Sequence, residues 1–219
     1  MKLKLCLVFV LLLHFLLRVK PLETPISETE WTADKIMLAI TANNKQIEEA
    51  KEDMMKNLVA EATLRNVYIE TRRGKGSGVI ISTNIILTCK HLMDNLVFVD
   101  GKPATIVQIN RDTDLMILST KTREMPKVGL PEKVSQDEEV FSVSNPIGHH
   151  DLLVRGRIVD IADGMFYSDM HVFSGSSGSG VYNKKGGLIG IVSAMQGVPG
   201  MGFPYAVIVP IGNLLKMFE

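Results

Sequence analysis

Ile85-Ile86-Leu87-Thr88-Cys89-Lys90-His91 is an apolar, β-branched run that stops on a histidine. Ile and Thr fit a pleated, half-buried surface, so the run reads as a strand with His91 at its end. The pattern repeats on both sides. From Asn66 onward, short runs of this kind are separated by Gly, Asn, Asp and Pro, which turn the chain. A first group spans Val67–Thr71, Gly78–Ser82, Ile85–Cys89, Leu96–Val99, Thr105–Asn110 and Leu115–Thr120. Lys121 to Asp137 has few strand signals and two prolines, Pro126 and Pro131, and reads as a linker. A second group spans Val140–Ser144, Leu152–Ile161, Met165–Tyr167, Gly180–Tyr182, Leu188–Ala194 and Tyr205–Val209. Pro210 then suits the first turn of a short terminal helix ending near Met217. Six strands, a linker and six more predict an all-β fold of two six-stranded antiparallel barrels, the first over residues 66–120 and the second within 138–219.

Upstream, the pattern is different. Lys2 and Lys4 precede an apolar run from Leu5 to Leu17, and Arg18 and Lys20 follow it. Thirteen residues match the core of a signal peptide and fall short of the about 20 that span a bilayer as helix. Residues 1–20 are therefore expected to direct export, as a cleaved signal or as an uncleaved membrane anchor. Residues 27–65 read as helix. Ser27 and Glu30 have capping-box spacing, and Ile36, Ile40, Ile47, Ala50, Met54 and Leu58 approximate one apolar stripe. Asn43-Asn44 is a place where this helix could divide in two. Two roles stay open for it: a stalk or oligomerising helix, and a helix that packs on the following domain.

Composition narrows the function. Of 219 residues, 46% are hydrophobic and 22% charged, which suits a globular protein. The formal net charge is zero, without the basic footprint of a nucleic-acid binder. The two cysteines are Cys6, inside the apolar run, and Cys89. They are not expected to pair, so core burial must hold the domain together. A Cys89–His91 nucleophile pair is conceivable, but Cys89 follows the apolar run Ile85-Ile86-Leu87 and reads as a small core residue. His149-His150 has no third ligand nearby in sequence, and no metal or other cofactor is expected.

Three residues point to one chemistry. Ser177 lies in Gly175-Ser176-Ser177-Gly178-Ser179-Gly180, where glycines allow a tight turn that exposes a hydroxyl and gathers N–H groups into a nest. Asp114 opens the apolar run Leu115-Met116-Ile117-Leu118. A serine hydroxyl is a poor nucleophile until an imidazole takes its proton, and the imidazole needs a buried acceptor to fix its tautomer. His91 and Asp114 fall in the first strand group and Ser177 in the second, as a site between two barrels would require.

These motifs resemble the trypsin-like serine peptidases of the chymotrypsin fold, and most of all the protease domain of the HtrA/Deg branch. Gly76-Ser77-Gly78-Val79-Ile80-Ile81 resembles the opening strand, and Ile86 to His91 the histidine motif. Asp112-Thr113-Asp114-Leu115-Met116-Ile117-Leu118 resembles the aspartate motif. Asn145-Pro146-Ile147-Gly148 with Arg155-Gly156-Arg157-Ile158-Val159 resembles the second-barrel hairpin. Gly175 to Gly180 resembles the serine motif, and Gly190-Ile191-Val192-Ser193 the strand lining the primary pocket. The resemblance runs from about Arg65 to Phe218. It implies Ser177 as nucleophile, His91 as general base and then acid, and Asp114 as its orienting acid. It places the oxyanion hole at the N–H groups of Gly175 and Ser177, and substrate contacts at His171 and Ser193. It also implies a polypeptide substrate bound as an extended strand.

The chain departs from the family in two ways. No PDZ domain is expected after the barrels. Ser176 stands where trypsin-type zymogens keep an acid, so activation by a new N-terminus is not expected. The function expected is a serine endopeptidase, exported or membrane-tethered. The alternative is a catalytically silent domain that binds extended peptides.

Overall fold

The computed structural model describes residues 33–131, 133–197 and 204–212. The apolar N-terminal run, the Ser27/Glu30 capping box and the larger part of the expected terminal helix lie outside them. Among the described residues no helix is long and apolar enough to cross a membrane.

Helix α1 runs without a break over Ala33–Arg65. The expected division at Asn43-Asn44 does not occur, since asparagine costs a helix interior only a few tenths of a kcal/mol, about the spread among ordinary residues. The chain divides into two compact units after Ala50. In the first, Met37, Leu38, Ile40 and Ile47 lie exposed on the helix. In the second, Met55, Leu58 and Val59 pack against the core and Ala62 is buried. Arg65 closes the helix in a fully buried position. Its guanidinium donates to Glu61 Oε1 at 2.8 Å and to the carbonyls of Ile80 and Pro126 at 3.1 Å each, so the charge is paired and its donors are used.

Twelve strands follow. They are β1 Asn66–Thr71, β2 Gly74–Ser82, β3 Ile85–Thr88, β4 Val97–Val99, β5 Lys102–Ile109, β6 Met116–Ser119, β7 Glu139–Ser144, β8 Leu152–Ala162, β9 Met165–Ser168, β10 Gly180–Asn183, β11 Leu188–Gln196 and β12 Tyr205–Pro210. They close two barrels, in the orders β1-β2-β3-β6-β5-β4 and β10-β11-β12-β9-β8-β7, every pairing antiparallel. This is the expected all-β architecture. Two details differ. β2 starts at Gly74, taking in the glycines and Ser77 ahead of the apolar run. Pro210 ends β12 opposite Gly190 instead of opening a helix, at a strand terminus where a missing N–H is tolerated.

Among the described residues of segment 121–135 there is no strand. The segment is laced to both barrels by Val128 N–H to Ile81 O and by Leu188 N–H to Gly129 O, each 2.9 Å. The larger apolar core fills the first barrel and continues through Phe141, Val143, Tyr182 and Leu188 of the second. The residues of interest collect along this junction.

Candidate active site

β3 and β6 are neighbours, with Thr88 opposite Met116. His91 lies just beyond the end of β3, in the 3-10 turn Lys90–Leu92, and Asp114 just before the start of β6. Antiparallel pairing therefore brings both residues to one end of the barrel. Asp114 Oδ1 accepts the main-chain N–H of His91 at 2.8 Å, and its Oδ2 lies 2.7 Å from His91 Nδ1. An ionised carboxylate has no proton to give, so Nδ1 is the donor and neutral imidazole keeps its lone pair on Nε2. The hydrogen bond to Asp114 raises the His91 pKa above its ordinary value, against a smaller opposing effect of burial. Burial alone would push the Asp114 carboxyl up. Hydrogen bonds from the His91 ring, the Ser193 hydroxyl and the His91 amide outweigh it and hold that carboxyl below its usual value.

The Ser193 hydroxyl reaches Asp114 Oδ2 at 2.6 Å from the other barrel. It does so because β11 bulges there: Val192 faces Ile208 and Ala194 faces Val207, leaving Ser193 the extra residue. A bulge re-aims a side chain and ends regular pairing. The Ser193 carbonyl accepts the hydroxyl of Ser177 at 3.2 Å. The Ser177 proton is thus held by that carbonyl, not by the His91 ring.

Ser177 sits on a turn whose glycines cannot be replaced freely. Gly175 has φ +96°, and a Cβ there would lie 2.7 Å from Asn145 O. Gly178 has φ +90°, and its Cβ would lie 2.0 Å from Ser77 O. The carbonyl of Ser174 accepts from Ile147 N–H and that of Ser176 from Ser179 N–H, each at 3.0 Å. In a trans peptide the N–H points opposite to the C=O. The amides of Gly175 and Ser177 are therefore turned away from these bonds, and neither donates to an acceptor among the described residues.

Beneath the turn lies a layer of buried, neutral serines. Ser176 Oγ lies 3.2 Å from Ser144 Oγ and accepts Phe173 N–H at 3.3 Å, while Ser142 donates to Ser179 Oγ at 3.0 Å. All four serines are buried. Sequence reasoning missed this layer and missed Ser77 and Asn145 as well. Serines at alternate positions of the apolar β7 run were the available signal.

The other candidates separate. Cys89 is buried and its thiol donates to Val192 O at 3.2 Å. Burial and the nearby Asp114 carboxylate push that thiol well up, which disfavours both a thiolate nucleophile and a thiolate ligand. Possible ligand atoms of Cys89, His91 and Asp114 lie within 4.8 Å of one another, but His91 Nδ1 and Asp114 Oδ2 are hydrogen-bonded to each other and the Cys89 thiol is buried. His150 meets the Tyr68 ring edge-on at 5.2 Å. His171 is exposed between buried Met170 and Val172.

A family model of the trypsin-like peptidase domain matches residues 76–191, just over half of the chain. The chain is 27% identical over 195 residues to a "Serine protease HtrA-like" protein of Staphylococcus haemolyticus, covering 73% of this chain and 30% of that protein. It is 27% identical over 165 residues to a "Probable periplasmic serine endoprotease DegP-like" protein of Pseudomonas putida, covering 64% and 35%. It thus spans about a third of the length of these curated relatives. Among solved structures, the serine endoprotease from Yersinia pestis aligns with a TM-score of 0.63 at 23% identity, over 74% of this chain and 65% of that one. The HtrA-type protease AlgW, solved with a tripeptide, aligns with a TM-score of 0.64 at 24% identity, over 74% and 62%. At such identities the structural likeness speaks for the fold. With the family model it leads to one conclusion: this chain belongs to the trypsin-like peptidase domain family.

Proposed function

We propose that the chain is a serine endopeptidase that cleaves polypeptides through Ser177, His91 and Asp114. The observation that carries this reading is the Asp114 Oδ2–His91 Nδ1 hydrogen bond of 2.7 Å, which leaves a basic Nε2 at the junction where Ser177 stands. In the reaction, Ser177 Oγ leaves the Ser193 carbonyl and attacks the scissile carbonyl carbon as Nε2 takes its proton. The oxyanion forms against the N–H groups of Gly175 and Ser177. His91 then protonates the departing amine, leaving an acyl-enzyme, and activates a water that releases it. Donors already aimed at the developing charge need no reorganisation during the step.

The substrate is expected to lie extended along β11, whose pairing with β10 ends at Ile191 while its pairing with β12 continues to Gln196. Ser193 borders the substrate backbone in this reading, and His171 faces the side chain before the scissile bond. The domain acts outside the cytoplasm, exported or tethered by residues 1–20, and the part of helix α1 that carries exposed Met37, Leu38, Ile40 and Ile47 serves oligomerisation. One observation favours a second reading, a silent peptide-binding domain: the Ser177 hydroxyl rests on Ser193 O. Hydrolysis of an unfolded protein by the full chain decides. Wild type is expected to cleave, and Ser177→Ala and His91→Ala to lose cleavage by at least about 10³-fold. Wild-type rates in both variants would refute the assignment.

A further inference from the structure

We infer that Ser77 is a positioning residue for the oxyanion turn, holding Gly175 and Ser177 from the opposite barrel. This rests on the endopeptidase reading above. Ser77 belongs to β2 and is 0% exposed. A buried hydroxyl needs a partner, and one partner would satisfy it. Here two of the residue's three polar groups reach the second barrel. Ser77 N–H donates to Ser177 O at 2.8 Å, and Ser77 Oγ donates to Gly175 O at 2.8 Å. The same Oγ accepts Asn145 N–H at 2.9 Å, which fixes the direction of its proton. Ser77 O accepts the Thr88 hydroxyl at 2.7 Å, tying the residue back to β3.

The consequence lies in the peptide planes. Gly175 has no side chain and, left alone, rotates easily between conformations. Ile147 N–H pins the Ser174 carbonyl, and Ser77 Oγ pins the Gly175 carbonyl. The planes on both sides of the Gly175 α-carbon are then fixed, and with them φ +96° and the outward aim of its N–H. Ser77 N–H fixes Ser177 in the same way. Ile147 itself is an outlier, a β-branched residue at φ 52° with a side chain 73% exposed. No apolar packing rewards that conformation, and what it delivers is the amide on Ser174 O.

Ser77→Ala in the full chain removes the hydroxyl alone and keeps the amide bond to Ser177. Outright removal of an oxyanion donor costs about 10²–10³-fold in kcat, so misaligning the turn is expected to cost about 10–100-fold. KM should stay within about twofold, because substrate is gripped elsewhere. The acid limb of the pH–rate profile should not move, because the His91–Asp114 pair is untouched. Amide hydrogen exchange over residues 173–178 should quicken by about tenfold, in catalytically inert Ser177→Ala protein as well. Should Ser77→Ala fail to fold, Ser77→Cys, with similar volume and a weak donor, is expected to give an intermediate kcat. A kcat within twofold of wild type in the folded variant overturns the inference, as does unchanged exchange at 173–178. An inactive wild type would instead defeat the endopeptidase reading, and the exchange measurement would still judge Ser77.

Discussion

Ser193 gives its hydroxyl to Asp114 Oδ2 at 2.6 Å, across the junction of the two barrels, onto the oxygen that also faces His91 Nδ1. Its carbonyl meanwhile takes the Ser177 hydroxyl. One bulged residue therefore touches both the acid and the proposed nucleophile. Removing the hydroxyl in Ser193→Ala leaves Asp114 with fewer donors and lets its carboxyl rise toward the ordinary range. A hydrogen bond to a charged group is worth about 1.5–3 kcal/mol, and partial exposure of Asp114 places the expected loss near the lower end. Chemical denaturation should show that loss, with kcat/KM lower by about tenfold. Unchanged stability and rate would mean the hydroxyl is idle.

The Asp114 hydrogen bond raises the His91 pKa above 6.5, so the acid limb of kcat/KM should have its midpoint above 6.5. Asp114→Asn should move the limb down and lower kcat by about 10⁴-fold, the loss seen when this acid is replaced in a Ser-His-Asp triad. A limb at or below 6.5 in wild type would contradict the pairing.

Stability carries the same information with defined signs. Folding raises the His91 pKa, so its contribution is fully present below 6.5 and fades as pH rises through the folded value. Folding lowers the Asp114 pKa, so its contribution is present above 3.8 and is lost as pH falls through the folded value. Denaturation of wild type and Asp114→Asn across these windows should show a pH-dependent difference. A constant offset would go against the linkage.

Gly178→Ala combines a left-handed backbone with a Cβ placed 2.0 Å from Ser77 O. The backbone term alone is about 1–2 kcal/mol, and the clash is with main chain that cannot swing aside. A loss of more than about 3 kcal/mol is expected. A variant within about 1 kcal/mol of wild type would show that this turn relaxes freely.

Cys89 should resist iodoacetamide in the native protein and react only on unfolding, because its thiol is buried and held protonated. Mass mapping distinguishes it from Cys6. Rapid native labelling of Cys89 with loss of activity would revive the cysteine reading.

Much of this was legible in the sequence. The β-branched runs marked all twelve strands, and their grouping around 121–137 marked two barrels. The places that escaped share a cause. β2 begins at Gly74, and its glycine at 76 stands where side chains do not fit: a Cβ on Gly76 would lie 3.1 Å from Ser177 O and closer still to the Leu92 side chain. Ser77 stood in the motif that resembles the opening strand, but glycines on both sides gave its hydroxyl no legible role. β5 takes in Pro103, usually a breaker, because pairing with β6 begins only at Thr105. His91, Asp114 and Ser177 were readable because their chemistry demands particular residue types. The serines beneath them and the bulge at Ser193 were not, because their roles arise from pairing register between distant strands.

The central claim is that Ser177 is activated by the His91–Asp114 pair. Labelling of the full chain with a fluorophosphonate, followed by mass mapping of the adduct, tests it most directly. The account predicts an adduct on Ser177 alone, absent from Ser177→Ala and slowed by at least about 10³-fold in His91→Ala. No adduct on folded wild-type protein, or one formed equally fast without His91, would contradict it.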